Sequence, residues 1–440
     1  MTNRPEGLRA RYLAAFPKTL DALPGAELGW LRSLRESALA RFADLDLPEP
    51  RVEDWKYTNL RPLKASDLAV PANDSASADA PSGLPRFGDG ARLVFVNGRL
   101  DAAASSPALP AGARLLSLGA ALAETPDLLE SDLGRLVPWQ GEGVLALNTA
   151  FMRDGYVLAI DPGVEIETPI EIVFHGGAAS HAAWHVRNVI RLGEGARATV
   201  IESHVGAPDA AYFSNPVTEI FAGPSSALRH YRIQDESIKA QHLAHVAAEL
   251  AEKADMESFV LTLGAALSRN EIRVAIEGHH VECKLNGIYL QRGTQHSDNT
   301  TVIDHKVGDG RADEVYKGVL DDRASGVFQG RFIVREDAQK TDANQQSRAI
   351  LLSPKARADA KPELEIFADD VKCSHGATIG ELDEEPLFYL RARGIDTDTA
   401  RALLVEAFLR DAIEKITCEP VREAFGKRVE DWIRAEKEGS

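Results

Sequence analysis

The chain has 440 residues, 44% of them hydrophobic, and a formal net charge of −17 with no polybasic run. Such a length can bury one large core or several smaller ones, roughly two to four domains by length alone. An acidic surface repels phosphate backbones and anionic lipid, which disfavours nucleic acid and membranes as partners. The opening "MTNRPEGLRARYLAAFPKTL" lacks an apolar signal core, and no later run approaches membrane-spanning length. Cys283, Cys373 and Cys418 are scattered with no CxxC pair, which argues against a disulfide framework or a self-contained four-cysteine cluster site. The expected compartment is the reducing cytoplasm.

Residues 1–70 read as an N-terminal helical region. In "GAELGWLRSLRESALARFADL", Leu28, Leu31, Leu34, Ala38 and Phe42 recur at spacings of three and four, an amphipathic stripe. "RVEDWKYTNLRPL" follows without a clear period. Residues 71–86 are small, polar and proline-flanked, a flexible linker or exposed loop with little to bury.

From residue 87 the texture becomes β, with short apolar runs between Gly, Asp and Asn. Similar strand starts fall at Ala196, Ala227, Ala254, Val281 and Ala312, spaced 31, 27, 27 and 31. A second series at Asn188, Asn215, His242 and Arg269 is spaced 27 throughout, with Ser297 28 further on. Two interleaved series with one period suggest the coils of a solenoid, each giving short strands to two or more parallel sheets. The expected fold is mainly β: a right-handed parallel β-helix over residues 87–380, flanked by helical regions. An antiparallel sandwich also repeats at about ten residues, but the shared period favours the solenoid. Residues 381–440 turn helical again. Gly394 can stop one helix, and Asp396 or Thr397 can cap the next. That helix carries an apolar face of Ala400, Leu403, Leu404, Ala407, Phe408, Ala412 and Ile416. Val421, Phe425, Val429 and Trp432 form a third stripe.

The run from "ADEVYKGVLDDRASGVFQGRF" through "ELEIFADDVKCSHGATIG" to "EEPLFYLRARGI" resembles the SufB/SufD family of iron–sulfur cluster assembly proteins. "EDWKYTNL", "SRNEIRV", "LNGIYL" and "ARALLVEAF" are similar too, so the likeness covers most of the chain from about residue 50. SufB-like members carry a cysteine where this chain has Ser347, and His-Glu-Ala where it has His375-Gly376-Ala377. The Cys-x-His-Gly-Ala-Thr found here resembles the SufD branch. One departure is the acidic segment Asp304–Gly318, where the family more often has a proline-containing turn.

The resemblance implies a β-helix scaffold without turnover of its own, paired with SufB and carrying the ABC-type ATPase SufC on its C-terminal helices, in a SufBCD complex. A cysteine desulfurase system would supply sulfur indirectly, and an isolated chain could form a homodimer. No GxxxxGK[ST] loop is present, so ATP hydrolysis is expected in SufC. No flavin fingerprint is present either, and any reduced flavin in the complex is expected mainly on SufB. Phe388, Tyr389, Leu403, Leu404 and Phe408 are candidate SufC-docking residues, equally readable by type as core.

The candidate ligands for iron or a nascent cluster are Cys373 and His375. If "EIFADDVKCSHGATIG" is one strand, the two point the same way, about 6–7 Å apart. From spacing alone, a Cys-x-His pair is more often packing, and the resemblance reverses that balance. Two donors cannot complete a tetrahedral site, so water, sulfide or another chain must supply the rest. Asp369 and Asp370 could offer oxygen, with Asp370 on the opposite face. Cys283 reads as a buried small hydrophobe, Cys418 as structural, and His242, His245, His279 and His280 as core or solvated. His296, Asp298 and His305 read as turn-forming polar groups. A different class, a β-helix carbohydrate-active enzyme, would need facing acids and aromatic platforms. The pairs Asp321-Asp322 and Asp369-Asp370 are adjacent, and aromatics are only 6%. A homodimeric platform without ligands of its own is the remaining alternative.

Overall fold

The computed structural model describes residues 7–68, 80–177 and 182–435. Its centre is a parallel β-solenoid of about seven turns built from two sheets. Among the described residues, sheet I has ten strands, beginning at Arg92–Val96 and ending at Lys372–Glu381. Sheet II has eleven and ends at Arg357–Ile366. Apart from one antiparallel strand at the start of each sheet, neighbours pair in parallel.

In sheet I, Arg197, Ala227, Asp255, Glu282, Arg311, Asp342 and Lys372 are successive register partners, giving steps of 30, 28, 27, 29, 31 and 30 residues. Sheet II shows the same variation from Arg187 through Val217, His245, Glu271 and Thr300 to Gln329 and Lys361. The strict spacing of 27 read from the sequence is therefore replaced by a variable coil length. Register is held by backbone pairing and corners, and the connections absorb the surplus residues. One corner repeats a left-handed residue in six successive coils: Gly195, Ser225, Lys253, His280, Asp309 and Lys340 all have φ between 56° and 67°. The N–H groups of Gly195, Ser225, Lys253, Asp309 and Lys340 reach the next coil, as in Ser225 N–H to Glu252 O (2.8 Å) and Asp309 N–H to Gln339 O (2.9 Å). The Asp304–Gly318 departure spans one such corner and the strands on either side.

Alternation along each strand fills the interior. In Asp342–Leu351, Ala343, Gln345, Ser347 and Ala349 are buried and the residues between them more open. Mid-stack strands are buried on both faces, because helices cover the outside of the sheets. Over sheet II lie α1 (Leu8–Thr19), α2 (Gly29–Leu45) and α3 (Arg61–Ala65), followed by α4 (Leu118–Glu124), α5 (Pro126–Asp132) and α6 (Gly143–Phe151). Over sheet I lie α8 (Thr397–Ile413) and α9 (Glu419–Ala435), which bury Val405, Leu409, Phe425 and Val429 against Tyr231, Phe259, Ile288 and Val315, while α7 (Glu384–Ala392) packs on α8. Gly394 (φ 85°) ends α7, and the Asp396 side chain caps α8 by accepting from Thr399 N–H (2.9 Å).

Helices α4–α6 stand where the sequence read as β. They have seven, seven and nine residues. All nine residues of α6 are buried, so no amphipathic period marks it. Within the proposed 71–86 linker, residues 71–79 lie outside the described residues. Its last part is anchored, with Ala80 N–H on Asp101 Oδ2 (2.9 Å) and Leu84 packed beside Val94.

Candidate functional site

The final strand, Lys372–Glu381, is an edge of sheet I, and nothing among the described residues pairs with its outer side. Cys373 stands opposite Ala343 and His375 opposite Gln345. Both face inward: Cys373 packs against the interior core cluster and against Ala338 and Ala368. Ser374 between them faces outward, its hydroxyl donating to Asn344 Oδ1 (2.9 Å). Because no further coil follows, this inward column opens to solvent. Cys373 is half-buried and His375 is exposed. Partial burial pushes the Cys373 thiol up, and Asp342 adds to the effect. A metal bound there must therefore displace the thiol proton. Asp369 and Asp370 do not lie on this strand, since a corner separates Arg357–Ile366 from Lys372–Glu381. The expected opposite-face geometry for Asp370 is corrected: its backbone accepts from Lys340 N–H (2.6 Å) and donates to Gln339 Oε1 (2.9 Å).

Beneath the pair lies a feature that sequence reading missed. Under Cys373 the column runs Ala343, Ala312, Cys283, and under His375 it runs Gln345, Glu314, Leu285. Gln345 Nε2 donates to Glu314 Oε2 (2.6 Å), and both side chains are essentially sealed, at 1% and 0% exposure. Burial pushes the Glu314 carboxyl up to about 7. Space for the Gln345 amide comes from Gly330 on the facing sheet, where a Cβ would lie 2.0 Å from Nε2. Only the register reveals this stack; with it, an acid two coils before His375 becomes visible. Among the described residues no three His, Cys, Asp or Glu side chains are gathered around a metal-sized space.

The other singled-out residues are placed elsewhere. Cys283 is buried in the core, its thiol pushed well up by burial. Cys418 follows α8, its N–H on Tyr231 Oη (3.2 Å). His280 is a left-handed corner residue, and His279 Nδ1 contacts Gly308 O (3.1 Å). His242 lies 2.7 Å from Glu236 in the interior, while His245 faces the N-terminal layer near Glu271 (3.8 Å). His296, Asp298 and His305 are strand residues of His296–His305, which corrects the turn reading. His296 and Asp298 bind Thr58 of "EDWKYTNL", whose Trp55 packs under the Arg269 guanidinium at 4.2 Å. His305 lies sealed in the interior, edge-on to Phe332.

Comparison with known proteins agrees with this architecture. Residues 174–408 match the family described as "SUF system FeS cluster assembly, SufBD core domain", and residues 7–172 match "SufBD protein N-terminal region". The chain belongs to the SufBD family of iron–sulfur cluster assembly proteins. It is 32% identical to an iron-sulfur cluster assembly SufBD family protein of Synechocystis, covering 89% of each chain. It is 31% identical to iron-sulfur cluster assembly protein SufD of Escherichia coli, over 87% of this chain and 88% of that one. SufD of Bacillus subtilis is 26% identical over 93% and 95%.

In this SufBD-family chain the C-terminal helices form a second candidate surface. The face of α8 that seats on sheet I is Val405, Leu409 and Ala412. Leu403 on α8 remains 43% exposed, and on α7 Phe388 is 74% and Tyr389 56% exposed. Leu404 is half-buried. Phe408 differs from a free docking residue: it packs with the buried cluster, and the Lys317 ammonium sits 4.6 Å over its ring. No helix among the described residues is long and apolar enough to cross a membrane.

Proposed function

We propose that this chain is a non-catalytic scaffold subunit of a SufBCD-type complex. It pairs with SufB across the open coil end, and SufC docks on the exposed part of the C-terminal helices. Cys373 and His375 then offer one sulfur and one nitrogen donor to iron or a nascent cluster, the cargo of the complex. SufB, sulfide or water closes the coordination shell. ATP hydrolysis belongs to SufC, and any reduced flavin belongs mainly to SufB. The observation that carries this reading is the inward column emerging unsealed at the final coil, with thiol and imidazole at its mouth. The SufD names of the Escherichia coli and Bacillus subtilis relatives support it.

The test is reconstitution of the chain with SufB and SufC, followed by iron and sulfide analysis. Cys373→Ala and His375→Ala should lower cluster yield by roughly tenfold or more while the complex stays intact. Unchanged yield in a fully assembled complex would leave only a structural platform. Tyr389→Asp or Leu403→Asp should abolish SufC recovery in pull-downs, and normal recovery would reject that docking surface.

A further inference from the structure

A metal-binding imidazole uses one ring nitrogen for the metal and needs an acceptor for the N–H on the other. That acceptor fixes the tautomer and the ring orientation. Among the described residues nothing bonds the His375 ring, and its nearest neighbour down the column is Gln345, one register position below. Adjacent strands are about 4.8 Å apart, so an amide at this position can reach the ring.

The Gln345 amide is held in one orientation. Its Nε2 is committed to Glu314 Oε2 at 2.6 Å. The side chain lies in the cut-out left by Gly330, where even a methyl group would collide with it. Its Oε1 is buried and has no hydrogen-bond partner. A buried amide oxygen without a donor is costly, of the order of 1–3 kcal/mol, and a ring N–H arriving from His375 would satisfy it. Glu314 below cannot turn to serve His375 directly, because Gln345 stands between them in the register.

We infer that Gln345 is the positioning residue of the open-end site. When His375 takes a divalent metal or an iron–sulfur cargo, its free ring N–H donates to Gln345 Oε1. Glu314, by binding Nε2, keeps that oxygen facing the mouth. The result is a carboxylate–amide–imidazole stack perpendicular to the strands, built from three successive coils of sheet I. It orients His375 without contributing a ligand. This inference rests on the proposed ligand role of Cys373 and His375.

The experiment titrates cobalt(II) into the full chain, alone and with its partner subunit, following the thiolate-to-metal charge-transfer band. Gln345→Leu should weaken Cys373-dependent binding by about 10–100-fold. Gln345→Glu keeps an acceptor oxygen at the same reach and can share a proton with Glu314 in place of the Nε2 bond, so it should restore part of it. In a His375→Ala background, Gln345→Leu should have no further effect, an outcome that a merely structural role would not produce. If Gln345→Leu binds cobalt like the parent while Cys373→Ala does not, the positioning role is overturned and the ligand reading survives. If the parent shows no Cys373-dependent binding in either setting, the ligand reading falls and this inference with it.

Discussion

The two ends of the solenoid solve the same problem in opposite ways. At the first end, sheet I closes with the antiparallel strand Arg99–Leu100 and sheet II with Ala113–Ser117. All five residues of Arg92–Val96 are buried. Glu171 on the next strand pairs with the buried Arg92 and accepts Phe87 N–H at 2.7 Å, tying the incoming chain across the opening. At the last end, nothing among the described residues pairs with the outer edges of two ten-residue strands, and no residue of Lys372–Glu381 is fully buried. Long uncovered edges invite pairing, and soluble proteins usually blunt them. The difference teaches that the fold seals its first coil and, among the described residues, leaves the outer edges of its last coil unpaired.

Substitutions can break or sharpen this contrast. The largest effect is expected at the closed end. Glu171→Ala strands the Arg92 guanidinium in a buried site and should cost about 3–5 kcal/mol in urea unfolding; a cost below 1 kcal/mol would mean that end is not sealed.

Next comes Glu314, just inside the open end. Its folded carboxyl titrates near 7 instead of near 4.5, so the folded state holds the proton more tightly. The associated stability is fully present below about pH 4.5 and is lost as pH rises through 7, about 3 kcal/mol in all. Glu314→Gln should remove that dependence, so its advantage over the parent grows between pH 5 and 8. The depressed carboxyls Glu202 and Glu271 act on both proteins and cancel in the difference. Parallel stability curves for the two would refute the buried titration.

Gly330→Ala pushes a methyl group into the Gln345 amide and should destabilise by about 1–3 kcal/mol, read as a fall in thermal midpoint. The smallest effect belongs to the open edge. Ile379, 42% exposed, should tolerate Ser within about 0.5 kcal/mol in the isolated chain. A large loss there would show the edge already covered, for instance by a second copy.

The sequence made the solenoid legible because each coil repeats one pattern, and pattern survives small errors of spacing. It made Cys373 and His375 legible as a same-side pair because strand alternation is local. What it hid were long-range placements. His296 and Asp298 look like loop polar groups until Thr58, more than 200 residues earlier, arrives to bind them. On α8, apolar residues lie on more than one side. Periodicity therefore proposed a face of Ala400, Leu403, Leu404, Ala407, Phe408, Ala412 and Ile416; Ala400, Ala412 and Ile416 are buried as expected, but Val405 and Leu409 are buried in place of Leu403 and Ala407. Gln345 and Glu314 escaped notice because variable coil lengths obscure which residues share a column.

The left-handed corner carries a last consequence. Gly195, Ser225, Lys253, Asp309 and Lys340 each send their N–H onward to a carbonyl of the following turn, yet the sequence of positive φ values stops at Lys340. In the final turn the register sets Asp370, two residues before Lys372, at the place of Lys340 before Asp342; its φ is not positive, and Gln339 Oε1 accepts its N–H (2.9 Å). Anyone wishing to lengthen this molecule by one more winding would have to begin there, exchanging Asp370 for glycine or asparagine. Growth is thus halted at the corner even though the strands beside it remain free to be joined.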